Sequence, residues 1–150
     1  YGLWPAAEVK AACSQKITLH PVLSWRTVIG EVKQVKWGES VGYDFTERLT
    51  RDSLIAVLPI GYWHGYPRSL SSTGRVLVRG NRAKILGRIS MDMTAIDVTD
   101  IPGVRMRDIV TLIGKDGKEE VTADDLATRS GRINYEIVTN LNPRTKRIVV

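Results

Sequence analysis

Ser53 to Ile60 is a continuous apolar run closed by Pro59 and Gly61. It is too short for a stable helix and has no polar alternation, so it reads as a strand buried on both faces. Such a strand needs a neighbour on each side and a layer above and below. The remaining chain offers them in short pieces. Val22 to Trp37 is rich in Val, Ile, Thr and Trp, with Glu31, Lys33 and Lys36 interposed, and reads as one long strand with a wet face. Arg75–Arg79, Ala83–Leu86, Met93–Val98, Ile109–Ile113 and Arg147–Val150 read as further strands, with turns at Gly80-Asn81-Arg82 and Lys115–Lys118. Three helices are expected. Ala6–Cys13 is one, and Thr122-Ala123-Asp124-Asp125 is a capping box starting a second that Gly131 ends. Ile133–Leu141 is the third. The expected fold is mainly β: a small closed or partly open Greek-key-like β-barrel with two or three short helices.

The 150 residues suit one domain, and 43% hydrophobic with 25% charged residues is ordinary for a globular protein. The net charge of +6 is unevenly spread. Arg68, Arg75, Arg79, Arg82, Lys84 and Arg88 follow one another with no acid between them, whereas acids dominate from Asp92 to Asp125. That pattern suits a solvated basic strand face opposite an acidic one. It also leaves room for a nucleic-acid-binding barrel, although the basic run lacks the interleaved aromatics on which single strands stack. One cysteine, Cys13, excludes a disulfide framework, and two distant histidines, His20 and His64, argue against a metal centre. No apolar run approaches the ~18 residues of a membrane helix. A cytoplasmic location without membrane or nucleic-acid partners is the expectation.

No P-loop, dinucleotide fingerprint, paired carboxylates or Ser/His/Asp arrangement stands out. The unusual residues are Tyr43, Tyr62 and Tyr135, each beside glycine or asparagine in a polar turn. A phenol so placed donates to phosphate or serves as a general acid/base. Free tyrosine titrates near ~10, so a phenol acting as base at neutral pH needs nearby cations or donors. Arg68 and Arg88 are candidates.

Three stretches, Gly38-Glu39-Ser40-Val41-Gly42-Tyr43-Asp44, Gly87-Arg88-Ile89-Ser90-Met91-Asp92-Met93-Thr94 and Ile133-Asn134-Tyr135-Glu136, resemble in order and spacing the C-terminal domain of alanine racemase. Tyr1-Gly2-Leu3-Trp4-Pro5 is similar to the segment leaving that family's (β/α)₈ barrel, and Pro21–Trp25 to the start of its β domain. The resemblance implies that 1–20 is a barrel-exit linker and 21–150 the β domain of a pyridoxal 5'-phosphate enzyme. That enzyme would interconvert L- and D-alanine for peptidoglycan. By the same resemblance Tyr43 is the catalytic base, and Met91 offers its N–H to the substrate carboxylate. Tyr135 reaches the cofactor phosphate, while Tyr62, Arg68 and Arg88 line the entrance. It further implies a homodimer with an active site shared between subunits. The Schiff-base lysine would belong to an N-terminal TIM barrel outside this chain, so the isolated domain is expected to be inactive.

Two positions depart from the family. Trp63-His64 stands where Ala-Asp is common, which adds bulk and removes an acid at the entrance, and Ser90 stands where cysteine is common. Serine, lysine or broad-specificity racemases of the same plan are the alternative within the family.

Overall fold

The structure is a computed structural model describing residues 1–4, 7–13 and 17–150. Pro5, Ala6 and 14–16, including the expected first residue of the N-terminal helix, lie outside the described residues. Among the described residues there are ten strands: β1 Trp25–Val28, β2 Glu31–Val35, β3 Ser40–Val41, β4 Glu47–Arg48, β5 Ser53–Leu58, β6 Arg75–Val78, β7 Asn81–Leu86, β8 Thr94–Asp97, β9 Ile109–Asp116 and β10 Glu119–Val121. Helices are α1 Ala7–Cys13, α2 Ala123–Ser130 and α3 Asn134–Thr139.

The main sheet is antiparallel and runs β1-β9-β6-β7-β8-β5-β2, with β10 added to β9. β5 lies between β2 and β8, and its Ile55, Ala56 and Leu58 are fully buried, as the apolar run requires. The fold is mainly β, as expected.

Val22–Trp37 is not one strand. It breaks at Ile29-Gly30, where the chain changes partners: the Ile29 N–H donates to the Asp108 carbonyl and the Gly30 N–H to the Val57 carbonyl, each at 2.9 Å. β1 therefore pairs with β9 and β2 with β5, at opposite ends of the sheet. Two residues join those ends, so the sheet must curl until they meet. No ladder links β1 to β2 among the described residues, which leaves the barrel partly open.

β9 runs past Ile113 because Gly114–Asp116 pair with β10, and Gly114 (φ 122°) leaves room for Ser24, an added Cβ there lying 3.0 Å from its hydroxyl. Arg147–Val150, expected as a strand, makes no ladder and its apolar side chains are exposed, because no strand among the described residues lies beside it. The small β3–β4 ribbon and β10 went unrecognised because each has only two or three residues.

Leu58, Leu77, Ile85, Ile96, Val110 and Leu112 fill the core with no exposure. Trp25 meets Tyr66 edge-on at 5.7 Å. α2 starts as its sequence dictates: the Thr122 hydroxyl accepts from the Asp125 N–H at 3.0 Å, while the Asp125 carboxylate accepts from the Thr122 N–H at 2.8 Å. Gly131 ends it at φ 67°. Leu126 of α2 and Ile137 of α3 seal against the same core, each burial stabilising by about 1.5–3 kcal/mol.

The basic run is largely neutralised by acids distant in sequence. Arg79 pairs with Asp108, Arg82 with Glu119, Lys84 with Glu47 and Arg88 with Asp44. Exposed pairs of this kind each contribute ~1 kcal/mol or less. They do remove the uniform positive strip that a polyanion would need.

Tyr66 is wholly buried, and its hydroxyl has no partner among the described residues; burial pushes its ionisation upward. An unpaired buried hydroxyl costs free energy that a ring of the same shape does not. Tyr66→Phe is therefore expected to raise stability by about 1 kcal/mol, read from the urea midpoint. A clear loss would show that the hydroxyl has a partner.

Candidate functional site

The loop from Gly87 to Met93 is the spine of the site. Ser90 closes it: its hydroxyl donates to the Met93 carbonyl and accepts from the Met93 N–H, both at 2.9 Å. Ser90 is thus more than a small residue in a cysteine's place, since a thiol would make both bonds weakly.

Three other segments lie on this spine. The first carries Tyr43. Gly42 (φ 83°) crosses Gly87 (φ 64°), and an added Cβ on Gly87 would come within 2.5 Å of the Val41 carbonyl. Tyr43 opens a 3₁₀ turn, Tyr43–Phe45, whose Asp44 and Phe45 both have positive φ, 59° and 52°. Aspartate tolerates this region; for an exposed phenylalanine it is strain of ~1 kcal/mol or more. Asp44 answers Arg88 at 2.5 Å. The Tyr43 ring is 61% exposed, pointing away from the core.

The second segment carries Tyr62. Its N–H donates to the Ser90 carbonyl (3.1 Å) and the Trp63 N–H to the Met91 carbonyl (2.9 Å). Gly61 makes that possible, because a Cβ there would sit 2.2 Å from the Ser90 carbonyl. His64 accepts the Gly61 N–H at Nδ1 (3.2 Å), with Trp63 edge-on at 4.9 Å. The third segment is the 3₁₀ turn Arg68–Leu70. It is tied on by Ser71, whose hydroxyl accepts from the Ile89 N–H at 3.0 Å, and by the Ser72 N–H to the Gly87 carbonyl at 3.1 Å.

Tyr43, Tyr62, Arg68, Arg88 and Met91 are therefore gathered by one loop. Tyr135 is joined less directly. It sits in the first turn of α3, and the segment after that helix meets this cluster: the Asn142 side chain donates to the Trp63 carbonyl at 2.8 Å. Tyr62, Met91 and Tyr135 are about half exposed, and among the described residues the Met91 N–H has no acceptor. A cavity of about 570 Å³ lies elsewhere, lined by Tyr1, Trp4, His20, Lys115 and Asp124, and includes none of these residues. Among the described residues no cluster of His, Cys, Asp or Glu could hold a metal, and no helix is long and apolar enough to cross a membrane.

Glu47 is a residue of the site that sequence reading missed. It lies on β4 opposite Val41 of β3, the strand leading into Gly42-Tyr43. Its carboxylate accepts from Lys84 Nζ (2.7 Å), Ser72 Oγ (2.6 Å) and the Gly87 N–H (3.4 Å). Burial alone would raise its pKa, but these three donors together hold it below the ordinary carboxylate value. All three partners are distant in sequence, so no local signal marked it.

The family model described as "Alanine racemase, C-terminal domain" matches residues 22–149. An alanine racemase of Leptospira interrogans is 42% identical over 100% of this chain and 40% of its own length. One from Halothermothrix orenii is 46% identical over 98% of the chain and 38% of its length. The crystal structure of Bacillus anthracis alanine racemase with bound L-Ala-P superposes with a TM-score of 0.86 at 39% identity, covering 94% of this chain and 35% of that one. The chain thus spans about 40% of the curated relatives it matches.

Two outcomes follow from the local geometry. Gly87→Ala forces a Cβ against the Val41 carbonyl at positive φ, and is expected to cost about 1–3 kcal/mol in denaturant unfolding. Glu47 has a depressed folded pKa, so its contribution to stability is present above the unfolded carboxylate value of ~4.3 and is lost as pH falls through the lower folded value. The stability gap between parent and Glu47→Gln should therefore narrow in urea titrations run below about pH 4. A gap that stays constant down to acid unfolding would contradict the shift.

Proposed function

The chain belongs to the alanine racemase C-terminal domain family, and on that premise we propose that it is the β domain of a pyridoxal 5'-phosphate enzyme interconverting L- and D-alanine for peptidoglycan. The observation that carries the proposal is the exposed Tyr43 phenol, held on a glycine crossing beside the Met91 loop. In this reading 1–20 is the linker leaving an N-terminal TIM barrel and 21–150 the β domain. The intact enzyme is a cytoplasmic homodimer whose Tyr43 and Met91 face the other subunit's barrel.

The residues suit the cofactor in part. Exposed phenols and an uncommitted N–H are donors for phosphate and carboxylate. Lys84, which reaches the Tyr43 ribbon, is held by Glu47; in this reading the amine for covalent attachment belongs to the barrel, and the isolated chain does not racemise. When bound, the cofactor draws electrons from the substrate Cα and acidifies its C–H. Tyr43 takes and returns the proton on the L face, opposite a lysine of the barrel. The Met91 N–H holds the substrate carboxylate, Tyr135 donates to the cofactor phosphate, and Tyr62, Arg68 and Arg88 form the entrance. Half-exposed Trp63 narrows that entrance beside Tyr62.

Tyr43→Phe keeps the ring and deletes the proton carrier. In the intact enzyme kcat should fall by roughly a hundredfold or more, with Cα-deuterium exchange from L-alanine falling most. Unchanged turnover would refute the assignment.

A further inference from the structure

We propose that Glu47 is the positioning residue that sets the Tyr43 hydroxyl, acting through the β3–β4 ribbon and never touching substrate. The inference rests on Tyr43 being the L-face base. Tyr43 hangs from a two-stranded ribbon of two residues per strand that is not part of the main sheet. A ribbon that short has no independent stability, so its place is decided by what fastens it to the barrel. Apolar contact supplies part: Val41 packs on the small cluster of Leu49, Ile55 and Leu86. Such contact is non-directional and allows sliding.

Beside the Gly42–Gly87 crossing, the side-chain ties from the ribbon to its neighbours come from two carboxylates, Asp44 and Glu47. Asp44 is 65% exposed and its pair with Arg88 is open to solvent, so it fixes little. The Glu47 side chain is only 17% exposed, and its oxygens are held by donors from three separate elements: Lys84 on β7, Ser72 in the turn before β6, and the backbone of Gly87. Charge-assisted bonds are the stronger kind, and although Lys84 stays half exposed, the bonds from Ser72 and Gly87 are partly buried. Because Glu47 is paired with Val41 across the ribbon, a shift at Glu47 moves Gly42 and the Tyr43 turn with it.

The test uses the intact enzyme with Glu47→Gln and, independently, Lys84→Met, which leaves Glu47 in place and removes the cation from a half-exposed position. A base displaced by a fraction of an ångström slows only the step it performs. Both variants should lower kcat by roughly ten- to a hundredfold with KM little changed. The Cα-deuterium isotope effect should rise with L-alanine, where the Tyr43 step becomes more limiting, and fall with D-alanine, where the lysine removes the deuteron. A purely structural role would reduce the active fraction and leave both isotope effects at parental values, and that result overturns the proposal, as does parental kcat. If Glu47→Gln does not fold, Lys84→Met decides. The Tyr43→Phe measurement separates the two readings: a collapse there with parental isotope effects in Lys84→Met removes the role of Glu47 and keeps that of Tyr43.

Discussion

Main chain lying directly on main chain is the constraint from which the site follows. At Gly61, Gly42 and Gly87 an added Cβ would come within 2.2, 3.0 and 2.5 Å of backbone atoms of a neighbouring segment. Only where no side chain intervenes do peptide groups approach this closely. The loop from Gly87 to Met93 thereby becomes a common support, and Tyr43, Tyr62 and Arg68 arrive at it from segments far apart in sequence. The phenols stand out from that support because the space beneath them is already filled by peptide bonds. Their exposure is a product of close packing below them.

Charge acts differently from what composition suggests. The cations between Arg68 and Arg88 form an unbroken series in sequence, yet in the fold four of the six face acids delivered by the Tyr43–Phe45 turn, β4, β10 and the 105–108 turn. These partners belong to elements that do not share a ladder with the cations' own strands, so it is the folding of the sheet that pairs them. One of those acids, Glu47, does more than neutralise, because its partly buried carboxylate accepts from donors on three elements at once.

Most of the strands were legible where apolar runs were bounded by turn residues, as with β5, β6, β8 and the cap and stop of α2. These signals are local and the structure obeys them. What escaped was non-local. The break at Ile29-Gly30 is invisible in Val22–Trp37 because residues on both sides have equal β preference; only the partners, Asp108 and Val57, divide them. The terminal Arg147–Val150 has a strand's composition and no neighbour to pair with. The position of Tyr43 in a glycine-bounded turn was readable, since glycine and polar residues mark a turn. The strand that fastens that turn was not, because two-residue β4 leaves no periodicity and the partners of Glu47 come from other parts of the chain.

The same break at Ile29-Gly30 shapes how the chain is made. β1 leaves the ribosome roughly ninety residues before its partner in β9. At ~5–20 residues per second, that leaves it unpaired for on the order of ten seconds. β2 and β5 can meet much sooner, so the nascent domain grows from the β2 side around to β9. The curl closes only when β1, which precedes β9 by most of this domain, is finally claimed. Until then its Trp25 is an exposed aromatic on a free strand edge, and that interval is when a chaperone has most to guard.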